Sequence, residues 1–143
     1  SKVVWLNYPW LYREMYSWLN LANRNAGWNF QWSSSESCQF TKYSGDEKQH
    51  YDWHTDSAPT PNEIGLIRKL SMSVALVDGT EYEGGDFEIN NLSPKNNEVY
   101  KIKALRKKGS IIVFPSFVWH RVTPVTEGTR CSLVSWHLGS PYL

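Results

Sequence analysis

His54 and Asp56, in the stretch Trp53-His54-Thr55-Asp56-Ser57, are the first side chains here whose types and spacing could do chemistry. In a β-strand alternate side chains share a face, so the two point the same way and Thr55 turns to the other side. An imidazole and a carboxylate on one face are two of the three groups that a non-haem Fe(II) centre takes from protein, the remaining positions staying open for small molecules. His-x-Asp alone is a common pairing, and the downstream sequence makes it specific. A hydrophobic run from Ile111 reaches Pro115, a second run presents His120, and after the Glu127-Gly128 turn a further strand starts near Arg130. An arginine ten residues after a candidate ligand suits a chelating dicarboxylic acid: one end binds metal, and a fork of N–H donors clamps the far carboxylate. Period two then puts Arg130, Ser132, Val134 and Trp136 on the pocket-lining face, with Cys131, Leu133, Ser135 and His137 on the other. His50 and His137 lack a partner at ligand spacing and read as structural.

These residues must be positioned by a sheet. Residues 9 to 24 place Leu11, Met15, Trp18 and Ala22 on one stripe, with Pro9 suited to a first turn and Gly27 to a stop, which predicts a helix packed on a sheet as a brace. After it come short runs rich in Val, Ile, Tyr, Phe, Trp and Thr, punctuated by Gly, Pro, Asn and Asp. They predict strands near 38–43, 50–56, 68–77, 86–91, 98–106, 110–114, 118–123 and 129–138. Turn signals separate them, among them Pro59 to Asn62, Asp78-Gly79 and Ser93 to Asn97. Eight short strands without interleaved helices exclude a parallel α/β sheet and predict an all-β sandwich or barrel with one N-terminal supporting helix. Trp28 to Ser35, polar with three spaced aromatics, is expected to be a mobile flap over the cleft. The loop from Ser57 to Gly65 is a second candidate lid.

At 143 residues the chain fits one domain over 1–143. Charged residues are 20% of the chain and nearly balance at +1, so no basic stripe points to nucleic acid. Cys38 and Cys131 form no metal-spaced pair and are expected as reduced, structural thiols. With no signal peptide and no apolar run of about 18 residues, the expectation is a soluble cytoplasmic protein without a membrane span.

Together, His-x-Asp, the second histidine and the arginine resemble the 2-oxoglutarate oxygenase superfamily, and more narrowly its prolyl 4-hydroxylase-like branch. Tyr43-Ser44-Gly45, Tyr51 to Asp56, Arg68 to Leu76, Tyr82 to Phe87 and Phe114 to His120 carry that resemblance, which spans about residues 39–138. It implies a double-stranded β-helix, or jelly roll. It also implies Fe(II), 2-oxoglutarate and O2 as cofactors, ascorbate as a stimulant, and succinate and CO2 as co-products. His54, Asp56 and His120 match the iron ligands, and Arg130 matches the partner of the 2-oxoglutarate C5 carboxylate. Tyr43 matches a co-substrate-binding tyrosine, and Arg68 and Trp136 match positions that contact a peptide substrate. Oxygen-sensing members carry a further co-substrate tyrosine where this chain has Ala75, so Tyr43 or Ser71 is expected to supply that hydrogen bond. The implied partner is a proline-containing peptide or protein. The alternatives are an oxygenase of a free amino acid, small metabolite or nucleobase, and a non-catalytic cupin-like metal-binding module.

Overall fold

In the computed structural model, which describes residues 2–57, 60–93 and 96–141, the chain forms one helix and eleven strands. The edge strand β1 (Lys2–Leu6) comes first, then α1 (Pro9–Asn25), the short β2 (Ser34–Ser35), β3 (Cys38–Ser44), β4 (Tyr51–His54) and β5 (Ile67–Ala75). There follow β6 (Tyr82–Gly84), β7 (Phe87–Ser93), β8 (Asn96–Lys101), β9 (Ile111–Pro115), β10 (Trp119–Val122) and the long β11 (Val125–Gly139). The larger sheet runs β1-β3-β11-β5-β9, with β2 and β6 also paired to β11; the smaller runs β4-β10-β7-β8. Every described pairing is antiparallel. This is the expected jelly roll with its N-terminal helix.

Alternation along β5 shows why the layers form. Leu70 and Met72 turn outward into a cluster with Leu11, Met15 and Leu19 of α1, so the helix packs on the outer face of the larger sheet. Ala75 turns inward to a second cluster between the sheets, with Phe87, Phe114, Val122 and Val125. The inward Ser71 and Ser73 are buried and small, leaving room beside them for groups from the opposite sheet. Among the described residues, no helix is long and apolar enough to cross a membrane.

Several boundaries differ from those expected. The helix begins at Pro9 and is followed by Gly27 with φ 71°, as predicted. Its buried stripe, however, continues through Leu19 and Asn23, and Trp18 is exposed. Asn23 explains the shift and also corrects the flap expectation. Its side-chain amide donates to the Phe30 carbonyl and its carbonyl oxygen accepts from the Phe30 N–H, both at 2.9 Å. Trp32 Nε1 donates to Asn20 Oδ1 at 3.1 Å, and Trp28, Phe30 and Trp32 all pack against the helix-side cluster. Residues 28–35 are therefore fastened to the helix on the face away from the cleft. The strand expected over 98–106 stops at Lys101, and a 3-10 turn over Lys103–Arg106 buries Leu105. Pro59, Pro94 and Lys95, named in the expected lid and turn, lie outside the described residues. Neither cysteine is in a disulfide, and burial pushes the Cys38 thiol up to about 11.

His137 sits on the outward face of β11, fully buried, between the hydroxyls of Ser35 at 2.7 Å and Ser135 at 2.9 Å. Burial lowers its pKa to about 4. An unfolded chain takes up this proton below about pH 6.5, while the folded one resists until about pH 4. Its contribution is therefore intact above pH 6.5 and is lost as pH falls through about 4, by on the order of 3 kcal/mol. Urea denaturation across that window should show the decline, and a His137→Gln protein should show a shallower one; equal slopes would contradict the assignment.

Candidate active site

β4 and β10 lie side by side in the smaller sheet, with His120 directly opposite His54 in the register. That pairing brings the two imidazoles together with ring centres 4.1 Å apart. Asp56 lies two residues beyond the end of β4 rather than inside the strand, and its backbone N–H donates to the Ser116 carbonyl at 2.9 Å. Its side chain still converges on the histidines: Oδ1 is 3.5 Å from His54 Nε2 and 3.4 Å from His120 Nε2. The donor atoms of all three residues lie within 4.8 Å of one another.

The other ring nitrogens decide what those atoms are. His54 Nδ1 is 2.6 Å from the Asp52 carbonyl and His120 Nδ1 is 2.9 Å from the Val118 carbonyl. A carbonyl only accepts, so each Nδ1 carries a proton, which leaves Nε2 as the atom that each imidazole turns toward Asp56 and could offer to a metal. Two imidazole nitrogens and a carboxylate oxygen then face one space, a donor set that could hold a divalent metal and leave half of an octahedral shell open. Burial pushes the Asp56 carboxyl up, but His120, His54 and Ser71 outweigh it and hold Asp56 well below the usual carboxylate range. Phe114 and Phe87 flank the His120 ring, at 4.8 and 5.7 Å between centres, and Tyr51 covers His54 at 3.8 Å.

Ser71 is placed differently from its expected role. It is fully buried, and its hydroxyl donates to Asp56 Oδ2 at 2.6 Å and meets Ser116 Oγ at 2.9 Å. That leaves it orienting the carboxylate, with no access to a co-substrate. Tyr43 does lie at the cleft: it pairs with Arg130 in the β3–β11 register, and the Arg130 guanidinium carbon is 5.5 Å from its ring centre. Burial raises the Tyr43 pKa against the opposing charge of Arg130.

Arg130, Ser132, Val134 and Trp136 all line one cleft of about 270 Å³ that also includes His54, Asp56 and His120. Arg130 is buried, and no carboxylate among the described residues pairs with it. Its aliphatic stem runs against Gly85, where a Cβ would stand 3.0 Å from Arg130 Cδ and 2.8 Å from Val125 Cγ2, so only glycine fits, at φ 62°. Arg106 secures that turn by donating to the carbonyls of Gly79, Tyr82 and Gly84 and to Asp86, at 2.9 to 3.1 Å. At the mouth, Arg68 lies 4.1 Å over the Trp136 ring and donates to Glu36 at 2.6 Å.

Sequence reasoning missed Tyr51, Ser116, Gly85, Arg106 and Trp5 as parts of this site. Tyr51 and Gly85 stood inside quoted motifs without a role. Ser116 and Arg106 act through contacts across the fold, for which the chain carries no local signal.

A jelly roll with a two-histidine, one-carboxylate cluster and an inward arginine defines a class, and comparison with known proteins identifies it. Residues 38–138 match the family model of the 2OG-Fe(II) oxygenase superfamily, and this chain belongs to that family. It is 42% identical over 86 residues to a PKHD-type hydroxylase from Synechococcus sp. strain CC9311, covering 60% of this chain and 35% of that one. It is 37% identical over 100 residues to a PKHD-type hydroxylase from Alteromonas mediterranea, covering 68% of this chain and 41% of that one. The chain thus spans well under half the length of these relatives. Among solved structures, a Pseudomonas putida prolyl-4-hydroxylase superposes with a TM-score of 0.69 at 21% identity, over 94% of this chain and 70% of that one. A viral collagen prolyl hydroxylase from Paramecium bursaria Chlorella virus-1 gives 0.68 at 17% identity, over 97% and 78%. At those identities the likeness is one of fold.

Because Ser71 holds Asp56 Oδ2, a Ser71→Ala protein should bind Co(II) about 10- to 100-fold more weakly, by the usual cost of removing a ligand's supporting hydrogen bond. Titration followed by the Co(II) absorption spectrum measures this, and unchanged affinity would show that the serine pair does not set the carboxylate.

Proposed function

We propose that this chain is an Fe(II)- and 2-oxoglutarate-dependent dioxygenase that hydroxylates prolyl residues of a peptide or protein, with succinate and CO2 as co-products. The observation that carries the reading is the presence, in one cleft, of a three-donor cluster and a buried arginine with no carboxylate partner among the described residues. A metal-binding module of the cupin type has no use for the arginine; a metal-chelating dicarboxylate needs both.

His54, Asp56 and His120 would hold the iron. When bound there with 2-oxoglutarate and O2, iron supplies the oxidising power that converts an unactivated C–H bond to C–OH. The chain's own residues do the rest. Arg130 would clamp the C5 carboxylate through its fork of N–H donors, with Tyr43 beside it in the cleft. The Asp52 and Val118 carbonyls hold the imidazole tautomers, and the Ser71–Ser116 pair holds the carboxylate. Phe87, Phe114 and Tyr51 wall the metal from water, which strengthens every electrostatic contact inside.

The mouth of the cleft supports a polypeptide substrate. Arg68 is already paired with Glu36, so it offers no free charge for the carboxylate of an amino acid. Trp136 lines the cleft beside Arg68, and its apolar indole suits a prolyl ring. The relatives are named as hydroxylases and the fold neighbours as prolyl hydroxylases, which supports proline as the residue modified.

The direct experiment is mass spectrometry of a proline-containing peptide library after incubation with Fe(II), 2-oxoglutarate and ascorbate. A gain of one oxygen on proline is expected; oxygen transfer only to free amino acids, metabolites or nucleobases would overturn the substrate reading. For the clamp, Arg130→Lys should weaken 2-oxoglutarate binding at least about tenfold, or about 1.4 kcal/mol, because an ammonium cannot reproduce the fork. Calorimetry with Mn(II) as the metal measures it, and unchanged affinity would remove Arg130 from the co-substrate site.

A further inference from the structure

Trp5 is the one cleft-lining residue contributed by β1, and neither the metal nor the co-substrate accounts for it. The register shows how it gets there. Trp5 pairs with Gln39, Gln39 with Val134, and Val134 with Ser73, so the four form one cross-strand row over β1, β3, β11 and β5. All four line the cleft. The Trp5 ring lies 6.2 Å from that of Trp136, tilted by 45°, yet the residue is 55% exposed. Val3, two residues earlier on the same face, is 40% exposed. An edge strand that presents this much apolar surface next to a cleft is a place for another chain to cover.

We infer that Trp5 is a substrate-binding residue, which together with Trp136 forms an aromatic subsite for a neutral, extended polypeptide at a position remote from the reacting residue. The inference rests on the peptide-substrate reading above and adds a length requirement to it. β1 lies three strand spacings, about 14 Å, from β5, whose Ser71 holds Asp56. An extended chain covers that span in about four residues, whereas a free amino acid cannot touch both ends. The occupant is uncharged where it meets this wall, because the nearby Arg68 and Glu36 neutralise one another and Gln39 offers only an amide.

The test compares two blocked, neutral prolyl peptides with the full chain: a Gly-Pro-Gly tripeptide, and a Gly/Ala peptide of about ten residues with one central proline, long enough to cross the cleft. In the wild type the longer peptide should have the lower KM. In Trp5→Ala that advantage should shrink by about fivefold or more, as for loss of an interface tryptophan. Trp5→Phe should keep most of it, and the melting temperature should not move, since Trp5 is largely outside the core. A full length advantage in Trp5→Ala, or a wild type with no length preference, would overturn the inference while leaving prolyl hydroxylation standing. A wild type that hydroxylates neither peptide would overturn the peptide reading and this inference with it.

Discussion

Everything in the site hangs on the two-residue alternation of β11. This strand is central to the larger sheet, pairing with β2, β3, β5 and β6, so its side chains cannot rotate to the other face without breaking four partnerships. One face sends Arg130, Ser132, Val134 and Trp136 into the cleft. The other carries Leu133 and His137 into the layer under the helix, where His137 meets Ser35, Trp32 and Tyr16. A one-residue slip would put the His137 imidazole in the cleft and turn the Arg130 guanidinium to the outer face, away from the histidine–aspartate cluster. Register and function are fixed by the same hydrogen bonds.

The electrostatics of the cleft follow from what is paired and what is not. Asp56 is a buried carboxylate that two histidines, through Nε2, and a serine hydroxyl stabilise, while each histidine Nδ1–H is spent on a backbone carbonyl. Arg68 is cancelled by Glu36. Arg130 has no such partner among the described residues, and burying a guanidinium uncompensated is costly. A dianionic ligand reaching from a metal at the cluster to Arg130 would relieve that cost, and on the proposed reading the two would be halves of one binding site.

The sequence made the sheets and the chemical set legible for physical reasons. His54, His120, Arg130 and Trp136 sit on strands, where spacing alone dictates facing, whereas Asp56 converges on them from beyond the end of β4. The parts it did not reveal depend on contacts between elements. The Lys2–Leu6 strand does not alternate, because Val3, Val4 and Trp5 are all apolar, and so it carries no periodic signal. β2 and β6 are too short to have one. The 28–35 segment reads as a flap from composition; Asn23 and Asn20, polar residues on the helix, pin it down. Ser71 is expected beside a co-substrate, and its contact with Asp56 is not legible because Asp56 lies past the end of β4, where strand spacing no longer dictates what it meets.

If the cluster and Arg130 share one ligand, metal and 2-oxoglutarate must bind cooperatively, and each must raise the other's affinity by the same factor. Calorimetric titration of 2-oxoglutarate into the full chain, with and without saturating Mn(II), reads that coupling directly. Saturating Mn(II) is expected to tighten 2-oxoglutarate by at least about tenfold, or about 1.4 kcal/mol of coupling. Equal affinity in the two titrations would mean that the three donors and the arginine do not act on one molecule.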